Sequence, residues 1–438
     1  MKITLTDKNK YYSLYSQIRA EIACGKIKKG EKLPSKRALA QELSISVTTV
    51  QLAYEQLLAE GYVISKERSG YFVEEVELPY YAKSRPRSAQ DPKSVVKYKY
   101  DLSKGSIPAA LFPFNIWSKL LRSVLADCGE HLLERVPCDG DCELKESISD
   151  YLYRSRGIDA DPRHIVIGAG AEHLYGVIVQ LLGRDKLFAV ENPGYAKISS
   201  TYALNGASVL PVSVTDRGMD IAALEKSCAD VCHVSPSHQF PTGAVMPVSA
   251  RSRLINWANE RGGFVIEDDY DSEFRLSGKP LQSTYSLCPD RVIYMNTFSK
   301  SLAPSMRMGY MVLPPALYER FLELFSTSAN FVPLFEQKAL AKMLSGGYFE
   351  RHISRLKNHY RAKRNELTQK LLNLGVPCEV YDTGSGLHLV ARFPLAKDDA
   401  EIKKKAEEMG IKLKCLSDYL LAPLDGVEKC VVINYAQL

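Results

Sequence analysis

Apolar side chains recur every four residues at Leu14, Ile18 and Ile22, which places them on one face of a helix ending near Cys24-Gly25. A second helix begins after Leu33-Pro34-Ser35, where Ser35 stands to cap the first turn and Leu39 and Leu43 turn inward. The short link Ser44-Ile45-Ser46 leads into a third helix, capped by Ser46, with Val50, Tyr54, Leu57 and Leu58 on its core side and Glu60-Gly61 as its stop. Tyr62-Val63-Ile64 and Tyr71-Phe72-Val73 then read as two strands around a polar tip from Ser65 to Gly70. From Glu74 to about Tyr100 the periodicity dissolves: Pro79, Pro86 and Pro92 interrupt it, and residues 83–99 hold Lys83, Arg85, Arg87, Lys93, Lys97 and Lys99 against Asp91 alone. Beyond residue 101, strand-like runs at 165–167, 187–190, 231–234, 264–266, 292–295 and 309–313 alternate with helical ones.

This pattern predicts three segments. Residues 1–75, three helices followed by a basic-tipped hairpin, predict a winged helix-turn-helix that binds double-stranded DNA. Residues 76–100 predict an extended basic linker, which either grazes DNA phosphate or serves as a plain solvated tether. Residues 101–438 predict an α/β sandwich with a mainly parallel sheet. In such sheets ligands gather beyond the carboxyl ends of the strands.

Charge sharpens this division. The net charge is +6, but residues 1–73 carry 12 Lys/Arg against 7 Asp/Glu and residues 74–100 carry 6 against 4. The first hundred residues therefore hold +7 and the remaining 338 hold −1, a basic module on a neutral body. The ten cysteines lack zinc-site spacing, so reduced thiols and no metal site are expected. The N-terminus has charges and no apolar run, and no stretch of about 18 apolar residues occurs, so a cytoplasmic protein without a membrane span is expected.

Candidate chemistry sits at the strand ends. Gly168-Ala169-Gly170-Ala171-Glu172-His173 is a small-residue turn opening a helix, whose exposed backbone N–H groups suit a phosphate, although a packing turn has the same composition. The run 264–266 continues into Glu267-Asp268-Asp269-Tyr270-Asp271, and 292–295 into Asn296-Thr297-Phe298-Ser299-Lys300, with Arg307 seven residues later. Period-two alternation puts Asp268 and Tyr270 on one face. Together these are the parts pyridoxal 5'-phosphate needs: a lysine amine for its aldehyde, a carboxylate for its pyridine nitrogen, and hydroxyls with a guanidinium for its phosphate.

The pattern Leu-Pro-Ser-x-Arg to Glu-Gly between Leu33 and Gly61 resembles the GntR family of regulators. By that resemblance Ser35 and Arg37 touch phosphates, and Ser46, Thr48, Thr49 and Gln51 enter the major groove. Lys66, Arg68 and Gly70 lie near the backbone or minor groove. Residues 101–438 resemble fold-type I aminotransferases, which implies a three-layer α/β/α domain with a large part about 101–330 and a small C-terminal α+β part about 331–438, and the whole chain resembles MocR/GabR-type regulators. The strings that carry this are Glu191 to Tyr195, Pro236 to Gly243, Glu267 to Phe274 and Thr297 to Gly309. The resemblance implies that Lys300 is the Schiff-base lysine, Asp268 the pyridinium partner and Tyr270 the donor to the ring hydroxyl. It also implies Tyr195 beside the ring, phosphate binding by Gly170, Ala171, Glu172, Thr297, Ser299 and Arg307, His238 and Gln239 along the site, and a homodimer.

Three departures bear on function. Val47 stands where many relatives carry Arg or Lys, exchanging a guanine contact for a methyl contact to thymine. Ala171 and Glu172 replace a hydroxyl and a Gln, leaving backbone donors and a carboxylate near the phosphate. The strand Cys430 to Ala436 lacks, near Val432, the arginine that clamps a substrate carboxylate in aminotransferases. Three readings stay open: a regulator sensing an amine, amino acid or vitamin B6 effector at the cofactor, an aminotransferase with an accessory DNA-binding module, and a dimerising domain that has lost its cofactor.

Overall fold

In the N-terminal part, helix α1 (Lys10–Ala23) buries Leu14, Tyr15, Ile18 and Ile22 against helix α3 (Val47–Ala59), with α2 (Lys36–Glu42) between them in sequence. The structure, a computed structural model, describes residues 10–75, 98–103, 105, 107–278 and 281–436. The chain divides into two compact units, Met1–Val95 and Val96–Leu438. Ser35 Oγ accepts from Ala38 N and Ser46 Oγ from Thr49 N, each at 3.1 Å, so both serines cap as their positions suggested. The buried face of α3 is Val50, Ala53, Tyr54 and Leu57. Leu58 is a correction: it follows Leu57 by about 100° around the helix and is 39% exposed. Strands β1 (Val63–Lys66) and β2 (Gly70–Val73) pair antiparallel with Lys66 opposite Gly70, so the hairpin tip is shorter than the sequence suggested.

The Val96–Leu438 unit is built on an eight-stranded sheet. Its order is Ile165–Gly168, Gly309–Val312, Val292–Thr297, Phe264–Asp268, Val231–Val234, Leu187–Asn192, Ser208–Thr215 and Gly218–Met219. The five strands from 292–297 to 208–215 run parallel, while 309–312 is antiparallel to both neighbours. Successive residues feed opposite faces: Ile165 and Ile167 join one apolar cluster and Val166 the other, as do Val292 and Tyr294 against Ile293 and Met295. The two strands at 208–219 were not read from the sequence.

A second, four-stranded antiparallel sheet orders Glu379–Tyr381, His388–Arg392, Cys430–Asn434 and Lys414–Cys415. The 25-residue helix Tyr348–Leu372 packs against the first of these strands. Residues 76–97 of the expected linker lie outside the described residues. Its last residues belong to the Val96–Leu438 unit: Lys99 N donates to Gly410 O at 2.7 Å, and Tyr100–Asp101 pairs in parallel with Ile411–Lys412. Among the described residues no helix is long and apolar enough to cross a membrane, and all ten cysteines are free thiols.

Candidate functional site

The carboxyl ends of the parallel strands open into a cavity of about 540 Å³, within the ~300–1,000 Å³ usual for small-molecule sites. Gly170, Ala171, Glu172, Tyr195, Asp268, Tyr270, Thr297, Ser299, Lys300 and Arg307 all line it. Gln239 does not: it is fully buried, its Nε2 donates to Pro193 O at 2.9 Å, and its Oε1 accepts from Thr242 Oγ1 at 2.6 Å. It supports the turn that carries Tyr195 and leaves no polar atom for a ligand. His238 also sits behind the wall, with Nδ1 2.9 Å from Asp271 Oδ2 and 3.3 Å from Tyr270 Oη. With His388 these side chains gather three buried metal-capable atoms within 4.8 Å of one another, a cluster that the sequence reading missed.

Alternation sorts the carboxylates of the 267–269 run. Glu267 accepts from Ser283 Oγ and from the Thr284 and Tyr285 amides, and Asp269 pairs with Arg156 at 2.9 Å and Tyr294 at 2.7 Å. Asp268 alone of the three faces the cavity. Tyr175 O–H donates to its Oδ2 at 2.6 Å, His233 Nε2 lies 3.5 Å away, and its buried Oδ1 has no partner. A buried carboxylate oxygen left open at a cavity wall suits a ligand that brings a cationic N–H.

Lys300 Nζ donates to Gly105 O at 2.8 Å, and burial lowers its pKa below the ordinary lysine value, favouring the free amine. A Cβ on Gly105 would come within 3.2 Å of that nitrogen and 2.8 Å of Asn434 Oδ1, so glycine permits the approach. Tyr270 is held as a protonated phenol, its pKa raised first by burial and then by the Asp271 charge.

The opposite chemistry gathers at the helix Ala171–Leu182. Its N-cap Gly170 has φ +83° and makes no side-chain cap, so the first backbone N–H groups are free for an anion. Arg307 adopts a left-handed φ of 44° with its backbone 3.9 Å from where a Gly170 Cβ would stand, a strain of ~1–2 kcal/mol of the kind found at functional sites. Glu172, which the sequence placed as a carboxylate near an anion, is turned to Lys197 at 2.7 Å. That bond lowers its pKa. Lys197 thus repairs a departure that had looked unfavourable.

Sequence reasoning also missed Glu191. It lines the cavity, burial pushes its carboxyl up to about 8, and its Oε1 has no partner. Its place at a strand end beside Asn192-Pro193 is the signal that could have found it.

On the N-terminal unit, Ser35, Arg37, Ser46, Thr48, Gln51, Lys66 and Arg68 are exposed and Thr49 and Gly70 half-buried. Several are already engaged: Ser46 Oγ lies 2.7 Å from Thr49 Oγ1, Gln51 donates to Glu55 at 2.8 Å, and Lys66 Nζ sits 5.0 Å from the Phe72 ring centroid. Val47 is 44% exposed on the same helix start.

Fold and cavity together define a pyridoxal-phosphate-type aminotransferase domain preceded by a helix-turn-helix module. Residues 102–425 match aminotransferase class I and II, and residues 10–73 match the gntR family of bacterial regulatory proteins. The chain is 36% identical to the HTH-type transcriptional regulator YdeL of Bacillus subtilis, over 92% of this chain and 88% of that one. It is 30% identical to the probable rhizopine catabolism regulatory protein MocR of Rhizobium meliloti, over 92% and 86%. A crystal structure of Pyrococcus horikoshii kynurenine aminotransferase shares the fold at a TM-score of 0.70 and 24% identity, covering 78% of this chain and 87% of that one. The chain belongs to the MocR-type HTH transcriptional regulators, in which a gntR-family module precedes a domain of aminotransferase class I and II, and its cofactor is pyridoxal 5'-phosphate.

Proposed function

We propose that this protein works in the cytoplasm as a homodimer that binds double-stranded DNA through α2, α3 and the hairpin and senses an amine, amino acid or vitamin B6 effector in the cavity. The observation that carries the cofactor half is the unpartnered, buried Asp268 Oδ1 in a cavity that Lys300 also lines. Bound there, pyridoxal phosphate supplies an aldehyde that condenses reversibly with amines and a ring that withdraws electrons. Asp268 would hold its ring nitrogen, Tyr270 its ring hydroxyl and Tyr195 one face. Gly170, Ala171, Thr297, Ser299 and Arg307 would hold its phosphate, with Glu172 kept from opposing it by Lys197. Burial lowers the Lys300 pKa, which favours the free amine, and once released its Nζ would serve as a base.

Sensing is favoured over turnover by Val432, fully buried on the strand that would otherwise offer a guanidinium to a substrate carboxylate. The effector changes DNA binding by as much as its affinity differs between two states of the protein. A second reading, an aminotransferase with an accessory DNA-binding module, is favoured by the completeness of the Asp268, Tyr270, Lys300 and Arg307 set.

The test is to purify the full chain, record the absorbance of the bound cofactor, and titrate amines and keto acids. Lys300→Ala is expected to abolish the lysine-linked spectrum, and an unchanged spectrum refutes the cofactor assignment. Steady release of keto acid decides for the enzyme. Gel shifts with Arg37→Ala and Lys66→Ala check the DNA contacts, and unaltered binding at moderate salt refutes them.

A further inference from the structure

Four cationic side chains line the cavity, and three have an evident use. Lys197 is neutralised by Glu172 at 2.7 Å. Lys300 is the buried amine held by Gly105 O, and Arg307 stands against the Gly170 turn. Lys414 is the fourth. Among the described residues it meets no carboxylate, and its Nζ lies 5.1 Å from the centroid of the Tyr419 ring, which also lines the cavity.

The register of the small sheet explains how this charge reaches the site. Lys414 stands directly opposite Val432 in the antiparallel pair, so both side chains leave the same face. Asn434, two residues along, lines the cavity from that face, whereas Cys415 packs on the other face with Val431 and Ile433. Val432 itself is enclosed by Val390, Leu416 and Tyr419 and offers an anion nothing. The positive charge missing from the 430–434 strand is supplied by its neighbour.

We propose that Lys414 is the carboxylate-binding residue of this cavity, and that the effector is therefore an amine that also carries a carboxylate. Its apolar stem has a wall to lie on: Phe240 sits 6.0 Å from Tyr195 and 5.1 Å from Tyr419 between ring centroids. The inference rests on the sensing reading above and narrows its effector class. A lysine ammonium suits this task as a mobile point charge that needs no bidentate geometry.

The test compares three probes on the full-length, cofactor-loaded protein: L-norvaline, 5-aminopentanoate and n-butylamine, the last being either acid with hydrogen in place of its carboxylate. The readout is the concentration at which each changes the cofactor absorbance. In the unaltered protein at least one acid is expected to act at ~10-fold lower concentration than n-butylamine, equivalent to ~1.4 kcal/mol. Lys414→Met should bring acid and amine within about twofold of each other, while Lys414→Arg keeps the preference. A preference retained by Lys414→Met overturns the inference. So does an unaltered protein that answers n-butylamine as readily as both acids, a result that leaves the sensing reading standing. A loaded protein that answers none of the three overturns this inference together with the amine and amino-acid sensing on which it rests.

Discussion

The Tyr175 hydroxyl donates to Asp268 Oδ2 at 2.6 Å and so fixes a buried carboxylate whose other oxygen, Oδ1, has no partner. Two substitutions separate orientation from charge. Tyr175→Phe should lower the stability of the cofactor-free protein by ~1–3 kcal/mol, because the carboxylate loses a hydrogen bond while staying buried. Asp268→Asn keeps an acceptor for Tyr175 and removes an uncompensated charge, so it should leave thermal stability equal or higher while weakening pyridoxal phosphate binding more than Tyr175→Phe does. Melting curves and absorbance titrations of the two variants check the order.

Glu191 gives a pH dependence with a definite sign. Burial raises its carboxyl from 4.5 to about 8, so between those values the folded protein binds more protons than the unfolded chain. The stability associated with the protonated form is fully present below pH 4.5 and is lost as pH rises through about 8. Glu191→Gln mimics the protonated carboxyl, so its melting temperature should gain on that of the unaltered protein between pH 5 and pH 8. Parallel curves for the two proteins would refute the assignment.

The Glu172–Lys197 pair should act on cofactor affinity through charge alone. Lys197→Ala exposes the Glu172 carboxylate to the phosphate site and should weaken pyridoxal phosphate binding, an effect that Glu172→Ala reverses in the double variant. Both side chains are about half exposed, so screening holds the effect to that of a surface pair, ~0.2–1 kcal/mol or up to about fivefold. A double-mutant cycle on dissociation constants measures it.

In the DNA-binding unit, Ser46 both caps α3 and stands exposed at its start. Ser46→Ala should cost ~1 kcal/mol of stability through the lost cap. Ser46→Asp preserves the cap yet brings a negative charge to the DNA, so it should melt like the unaltered protein and bind DNA less tightly. Arg37→Ala should weaken binding to all sequences alike and reduce the salt slope by ~0.9 for the lost phosphate contact. Fluorescence anisotropy at several salt concentrations reads both outcomes.

Much of this was legible in the chain because it is local. Ser35 and Ser46 announce their helices through hydrogen bonds spanning three residues, and Leu14, Ile18 and Ile22 share a face by helical spacing alone. The misreading of Leu58 came from the same rule: the core side of α3 had room for Leu57 and none for its neighbour. Asp268, Tyr270 and Lys300 could be singled out because each lies at or just beyond the carboxyl end of a strand, where a parallel sheet places its ligands, and Arg307 because it follows Lys300 by seven residues.

By itself the sequence determined most of the elements, the two-part organisation, and the side chains proposed to meet the cofactor, since caps, alternation and short motifs act over a few residues. Tertiary structure decided which charges remain available. Tyr175 reaches Asp268 across 93 positions, Lys197 meets Glu172 across 25, and Lys414 faces the cavity because its strand pairs with 430–434. Such partnerships depend on strand order and register, which arise from the packing of the whole sheet and which no short stretch of sequence encodes.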